Sequence, residues 1–310
     1  MKKICFAIII IAAIASCRNN GGVEAQKSKE QIRLEQISRM DTTELMMHVN
    51  PDTIEGHSKL DSLSADAWML IDDSTGMVIS AKNAYNRRYM ASLTKMMTGL
   101  LALERGVMTD TVEITEDVFI NKDSRVRLGQ AYQMGNLITE MMMISDNDAA
   151  YAIAKHIAGD TLQFYDMMNR KAQYLGMDST NFATPNGMPN ENNYSSAADL
   201  IKLARYCMRD SAFAAIVGTA EKEIPLTDGR HLDARNSNAL IHTYEGCTGI
   251  KTGYTRQAGY CLASQATRNG ITLTLVLLNS RSFKSRFIES AAILDYGFRV
   301  MQAYRRNMIP

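Results

Sequence analysis

The chain has 310 residues, enough for one large domain or two modest ones. Its 34 Lys and Arg against 33 Asp and Glu leave a net charge of +1, which removes the electrostatic case for nucleic acid as a partner. Apolar residues make up 46%, as in soluble domains, so the 21 methionines read as adaptable core packing rather than as a metal site.

At the N-terminus, Lys2 and Lys3 precede an uncharged apolar run from Ile4 to Ala15, too short to span a bilayer as a mature helix. A charged start, an apolar middle and the small residues Ala15 and Ser16 before Cys17 resemble an export signal of the lipoprotein kind. The reading is a signal over 1–16 and a diacylated Cys17 as mature N-terminus; an ordinary cleaved signal with an incidental cysteine is the alternative. Residues 17–64 are polar and poorly periodic, with a short helix around 30–40. They read as a flexible tether with an r.m.s. span of roughly 35 Å. Two acyl chains would hold an exported protein on a membrane facing the periplasm or cell wall.

The folded part is expected over 65–310. "AWMLID" and "MVISAK", on either side of Asp73-Ser-Thr-Gly76, predict a β-hairpin. A helix over 92–104 ends at Gly106, and helices at 136–144, 148–157, 162–175 and 197–208 follow. Strands return in "EKEIPL", "TGIKTGY", "YCLASQAT" and "TLTLVLLN", the last two joined by the hairpin signal Asn269-Gly270. An amphipathic helix over 285–304 closes the chain, and the end at Pro310 is read as leaving no room for a second domain. This order predicts an α+β fold, an antiparallel sheet flanked by helices with a mostly helical insertion at about 110–220. An active site would lie at the seam between sheet and insertion. Cys207, Cys247 and Cys261 are odd in number without CxxC spacing, which argues against zinc and allows at most one disulfide.

Three short motifs carry chemistry. Ser92-Leu-Thr-Lys95 is the single SxxK of the chain. On a helix its serine and lysine share one face, and the serine sits where backbone N–H groups are free. The lysine can activate the serine only when neutral. By itself the motif more commonly means a capping serine and a solvated lysine. Ser145-Asp146-Asn147 holds favoured capping residues, or else a hydroxyl to relay protons and an amide to bind a substrate. Lys251-Thr252-Gly253 is a strand-edge lysine before a turn, or a charge and a hydroxyl suited to a carboxylate. In that second reading Gly253 leaves a sheet edge open to an extended peptide.

All three occur once and in the order that S-x-x-K, S-D-N and K-T-G take in penicillin-interacting serine enzymes. With "YMASLTKMMTGLLALE", "MMISDNDAAYAIAKHIAG", "MNRKAQYLGMDSTNFATPNGMP" and "GIKTGYTRQAGYCLASQA", the chain resembles the serine D-Ala-D-Ala carboxypeptidases over about 66–298. The resemblance implies a β-lactamase/DD-peptidase-like fold, stem peptides ending in D-Ala-D-Ala as substrate, β-lactam antibiotics as ligands, and neither cofactor nor metal. It implies that Ser92 is the acyl-ester nucleophile, Lys95 its base and Ser145 a proton relay. Asn147, Lys251, Thr252 and Gly253 would bind substrate, with the backbone N–H groups of Ser92 and Tyr254 as oxyanion hole. Asp146 departs from the glycine frequent in relatives. A class A β-lactamase needs a further glutamate, for which Glu191 is the nearby candidate. A D,D-endopeptidase and a non-catalytic peptidoglycan-binding lipoprotein complete the alternatives.

Overall fold

A computed structural model describes residues 42–120 and 124–308. The expected signal, Cys17 and the first part of the expected tether lie outside the described residues.

From residue 42 the chain is not a tether. Helix α1 (Thr43–His48) and a single helical turn at His57–Leu60 lie against the closing helix, burying Leu45, Val49 and Leu60. Asn307 Nδ2 donates to His48 O (2.7 Å), Arg299 Nε to Glu55 O (2.8 Å) and the Tyr296 hydroxyl to Pro51 O (3.1 Å). The expected tether over 17–64 therefore does not hold for residues 42–64. Three isolated apolar residues carry the packing, too few for a periodic pattern.

Strands β1 (Ala67–Asp72) and β2 (Val78–Lys82) form the expected hairpin. The helical part contains α2 (Lys95–Arg105), α3 (Met134–Ile144), α4 (Asn147–Ala158), α5 (Thr161–Tyr174), α6 (Ala197–Met208) and α7 (Ser211–Gly218). Next come β3 (Glu221–Pro225), β4 (His231–Arg235), β5 (Cys247–Thr255), β6 (Gly259–Arg268), β7 (Ile271–Ser280) and the closing helix α8 (Phe283–Met308).

The main sheet has the order β2-β1-β7-β6-β5, antiparallel throughout. Asn269 and Gly270 both take positive φ (51° and 70°), the conformation a two-residue β6–β7 turn requires. β1 explains why its sequence is a continuous apolar run rather than an alternation. Ala67, Met69 and Ile71 enter the core shared with the helical part, whereas Trp68 and Leu70 enter the core under α8. Both faces of the strand are covered, so both must be apolar. Helix α8 comes very close at Gly297, where a Cβ would stand 2.5 Å from Leu70 Cδ2.

Two elements differ from the sequence reading. "EKEIPL" was expected among the strands that return to the sheet, but β3 pairs only with β4 as a separate hairpin in which Ile224 and Ala234 pack on Met143. Helix α7 was not foreseen, although Asp210 caps it through Ala212 N and Phe213 N. Cys247 and Cys261 are free, and Cys207 Sγ is buried against Met96 O (3.7 Å). Among the described residues no helix is long and apolar enough to cross a membrane.

Candidate active site

Ser92 sits in a tight 3₁₀ turn, Ala91–Thr94, that continues into α2 at Lys95. Ala91 takes φ 48°, a left-handed conformation that a β-carbon disfavours. Two glycines hold the turn there. A Cβ at Gly187 (φ 82°) would stand 2.0 Å from Ala91 O, and one at Gly253 would stand 3.1 Å from Ser92 N. The Ser92 backbone is thus clamped between the 184–187 loop and strand β5.

Lys95 is wholly buried. Its Nζ lies 3.1 Å from Ser92 Oγ, 2.8 Å from Asn147 Oδ1 and 2.7 Å from Asn186 O. Burial lowers its pKa from 10.5 to about 7, and the Asp146 carboxylate opposes that shift without cancelling it. A neutral amine fits this cage. It donates two protons to Asn147 and Asn186 and turns its lone pair to the Ser92 hydroxyl.

Helix α3 ends at Ser145 in the left-handed conformation (φ 68°, ψ 31°), and α4 begins two residues later. Asp146 explains its own departure from glycine. Its carboxylate accepts from Asp148 N and Ala149 N as the α4 cap, and from Ser124 Oγ and Arg125 N across the chain. It is a clamp between α4 and the 124–126 segment.

Five residues before Ser145, Glu140 is fully buried, and among the described residues neither carboxylate oxygen has a hydrogen-bond partner. Burial raises its pKa from 4.5 to about 8, with Asp146 adding to the rise. The folded chain therefore keeps a proton that the unfolded chain loses near pH 4.5. Stability linked to this group is complete below that pH and lost as pH rises toward 8. Glu140→Gln is expected to raise the melting temperature, and the gain should grow from pH 5 to pH 8, by up to about 1.4 kcal/mol per pH unit. Thermal unfolding at both pH values checks this; a gain independent of pH would contradict it.

Lys251 on β5 is 1% exposed, and its Nζ donates to Thr252 O (3.2 Å). Burial, then Lys95, then Arg286 lower its pKa well below the ordinary value. Thr252 Oγ1 lies 2.8 Å from Ser237 Oγ. A cavity of about 290 Å³ opens between these elements, lined by Ser124, Arg125, Ser145, Asn147, Arg235 and Ser237. Tyr254 is 53% exposed and its ring stacks on Tyr260 at 4.2 Å, so its side chain is engaged on the surface.

Ser92, Lys95 and Asn147 thus share one hydrogen-bond network. Ser145 and Asn147 face the cavity at whose wall Ser237 holds Thr252, and Gly253 packs on the Ser92 turn. Glu191 is not among the partners of Lys95; it lines a different cavity. Three contributors went unread in the sequence. Asn186 offers only its backbone carbonyl to Lys95, and Ser237 is an ordinary loop serine. Arg286 donates from α8 to Gly253 O (3.1 Å) and lies over the rings of Phe283, Phe287 and Tyr260. Arg286 is surrounded by the aromatic residues that a helix needs for packing, so no local signal sets it apart.

Comparison with known proteins places this geometry. The family described as D-alanyl-D-alanine carboxypeptidase (peptidase S11) matches residues 54–282. The chain is 32% identical over 253 residues to a D-alanyl-D-alanine carboxypeptidase of Bacillus subtilis, covering 78% of this chain and 65% of that one. A relative in Haemophilus influenzae is 33% identical and covered to 64%, so the chain spans just under two thirds of the length of these two. One from Streptomyces sp. strain K15 is 32% identical and covered to 88%. The crystal structure of the Streptomyces K15 DD-transpeptidase superimposes with a TM-score of 0.73 at 30% identity, covering 76% of this chain and 97% of that one. A buried lysine on a clamped serine, set in an antiparallel sheet under helices and matched over this length, makes the chain a member of the D-alanyl-D-alanine carboxypeptidase family.

Proposed function

We propose that this protein is a serine-type D-Ala-D-Ala carboxypeptidase that removes the terminal D-Ala from peptidoglycan stem pentapeptides through an acyl-enzyme on Ser92. The observation that carries the reading is Lys95, wholly buried, 3.1 Å from Ser92 Oγ and with its pKa lowered to about 7. An amine so placed is a base at neutral pH.

In this mechanism the Lys95 lone pair takes the hydroxyl proton as Ser92 Oγ attacks the carbonyl carbon of the penultimate D-Ala. The oxyanion that forms is received by the backbone N–H groups of Ser92 and Tyr254, each donor contributing about 3 kcal/mol in the transition state. The C–N bond then breaks, and the proton returns through Lys95 and Ser145 to the departing amine. Water repeats the attack on the ester with the same groups reversed. Asn147 spends its Oδ1 on Lys95 and one amide N–H on Met188 Sδ (3.7 Å), and keeps the other N–H for the substrate backbone. Lys251 and Thr252 receive the terminal carboxylate, whose charge favours the protonated form of Lys251 that burial disfavours.

The test is incubation with pentapeptide and with cross-linked muropeptide. Free D-Ala without loss of cross-links is the expected result, and the reverse would make the protein an endopeptidase. Ser92→Ala should abolish D-Ala release and covalent attachment of labelled penicillin; attachment that survives in this variant refutes the nucleophile. Among the described residues Lys95 makes no hydrogen bond to a carboxylate such as that of Glu191, which supports a long-lived penicillin adduct over rapid turnover. We further propose export with an acyl anchor on Cys17; fatty-acid labelling of cells should be lost in Cys17→Ser.

A further inference from the structure

The β3–β4 hairpin contributes none of the groups placed in this chemistry, and one of its faces carries an unbalanced charge. Its ladder sets Glu221 opposite Arg235, Glu223 opposite Asp233 and Pro225 opposite His231. Side chains alternate along a strand, so these six share one face. Ile224 and Ala234 take the other face and pack on Met143, which leaves the six exposed.

Only one end of this face is neutralised. Arg235 Nε lies 3.7 Å from Glu221 Oε1, an opposite-charge pair. Glu223 and Asp233 are two carboxylates directly across the ladder, an arrangement that repels. The arginines nearby are engaged elsewhere. Arg230 donates from Nε and Nη2 to the Asp228 carboxylate (2.8 and 2.6 Å). Arg125 Nη1 meets Asp233 at its carbonyl O (3.0 Å) rather than at its side chain. Among the described residues neither Glu223 nor Asp233 pairs with a lysine or arginine. The nearest basic group is the imidazole of His231, whose Nδ1 stands 3.8 Å from Glu223 Oε1.

One ligand atom from each of Glu223, His231 and Asp233 lies within 4.8 Å of the other two. Atoms bound to one zinc ion at about 2.1 Å stand about 3.4 Å apart in a tetrahedron. Rotation of three exposed side chains closes that difference. Two carboxylates and a neutral imidazole together balance a doubly charged cation, and the donor set is selective. An imidazole nitrogen suits zinc and its transition-metal neighbours, whereas calcium and magnesium require more oxygen ligands than two carboxylates supply. A cation here would also have a mechanical effect. A two-stranded hairpin is marginal by itself, and this one pairs with no strand of the main sheet. Arg235 at the end of β4, Ser237 just beyond it and Arg125 all line the catalytic cavity.

We propose that Glu223, His231 and Asp233 bind a divalent transition metal of the zinc class, which clips β3 to β4 beside the catalytic cavity. The proposal stands independently of the carboxypeptidase reading. Its test is calorimetric titration of the full chain, freed of metal by a chelator, with zinc chloride and separately with calcium and magnesium chloride. One zinc ion per chain, bound about tenfold or more tighter than calcium or magnesium, is the expected result. Glu223→Gln, His231→Gln and Asp233→Asn should each weaken zinc by about tenfold or more. His156→Gln, at the separate His156–Asp110 contact (3.2 Å), should leave zinc binding within about twofold. Penicillin attachment to Ser92 in the three hairpin variants, within about twofold of the metal-free wild type, checks that they fold. Amide hydrogen exchange locates the ion in the wild-type protein whatever the variants do. Zinc should slow exchange across β3 and β4. No zinc binding, calcium bound as tightly as zinc, zinc affinity unchanged in folded hairpin variants, or no slowing at β3 and β4 would each overturn the site.

Discussion

Lys95→Met should slow acylation of Ser92 by roughly 10²–10⁴-fold, the usual contribution of a positioned base. Methionine has nearly the shape of the lysine stem, so the side chain still fills its buried place, and the loss reports the amine. The wild-type pH profile carries the sign. The pKa is lowered from 10.5 to about 7, so Lys95 is a protonated amine without a lone pair below that pH and neutral above it. Acylation by a labelled penicillin should rise about tenfold per pH unit up to pH 7 and level off above. In Lys95→Met the residual rate should not follow this curve. A wild-type rate that is flat from pH 5 to 8 would remove Lys95 as the base. Stability should move the same way. Between about 7 and 10.5 the unfolded chain holds a proton that the folded chain has released, so folding becomes more favourable as pH rises through this window.

Gly187→Ala is expected to be as damaging from outside the network. Its Cβ would stand 2.0 Å from Ala91 O and 2.9 Å from Ser92 N, both backbone atoms, and φ there is 82°. Something must move, and what lies opposite is the turn that carries the nucleophile. The expected cost is about 3 kcal/mol, the sum of a left-handed alanine and a forced backbone shift. For a domain of this size that lowers the melting temperature by about 6–12 °C. Acylation should fall by about 10²-fold, since a displacement near 1 Å suffices for that. Gly159→Ala is the matched control. It also has a positive φ (73°) but no atom within 4 Å of the added Cβ. It should cost about 1 kcal/mol and leave penicillin attachment intact. If both variants label at the wild-type rate, the clamp on the Ser92 turn has no catalytic consequence.

The contrast between those two glycines also marks where sequence reasoning succeeded and stopped. Elements set by local pattern were legible. The β1–β2 hairpin, the helices around Lys95 and Asn147 and the turn at Asn269-Gly270 each follow from a run of apolar residues with a turn or cap signal beside it. The three motifs placed Ser92, Lys95, Ser145, Asn147 and Lys251 because their spacing is tied to those elements. What escaped depends on contacts across long sequence distances. Residues 42–60 fold because α8 waits some 240 positions later, and β3 leaves the main sheet for a partner strand, "HLDAR", whose alternation rests on only two apolar residues, Leu232 and Ala234. Asp146 departs from glycine in the sequence. Its carboxylate acts on the charge of Lys95, and its hydrogen bonds to the 124–126 segment and the α4 cap depend on contacts that the sequence does not announce. Lys95 receives one of its three contacts from a backbone carbonyl, which no residue type can announce.

The pairing of Ala67 with Leu278 sets a further condition on how this protein comes into being. β1 is synthesised first among the strands, yet its inner neighbour β7 is the last to leave the ribosome. Ser92, Ser145 and Lys251 all precede β7 in the chain. A growing polypeptide can therefore hold Ser92, Ser145 and Lys251 while β1 still lacks a partner on one edge and the central strand of the sheet is yet to be made. Closing so long a loop is slow and leaves that edge open to other chains meanwhile. The protein should become competent to capture penicillin only after its synthesis is complete, in one late step, and nascent chains cut short before residue 271 should fail to do so although Ser92, Lys95, Ser145 and Lys251 are all present.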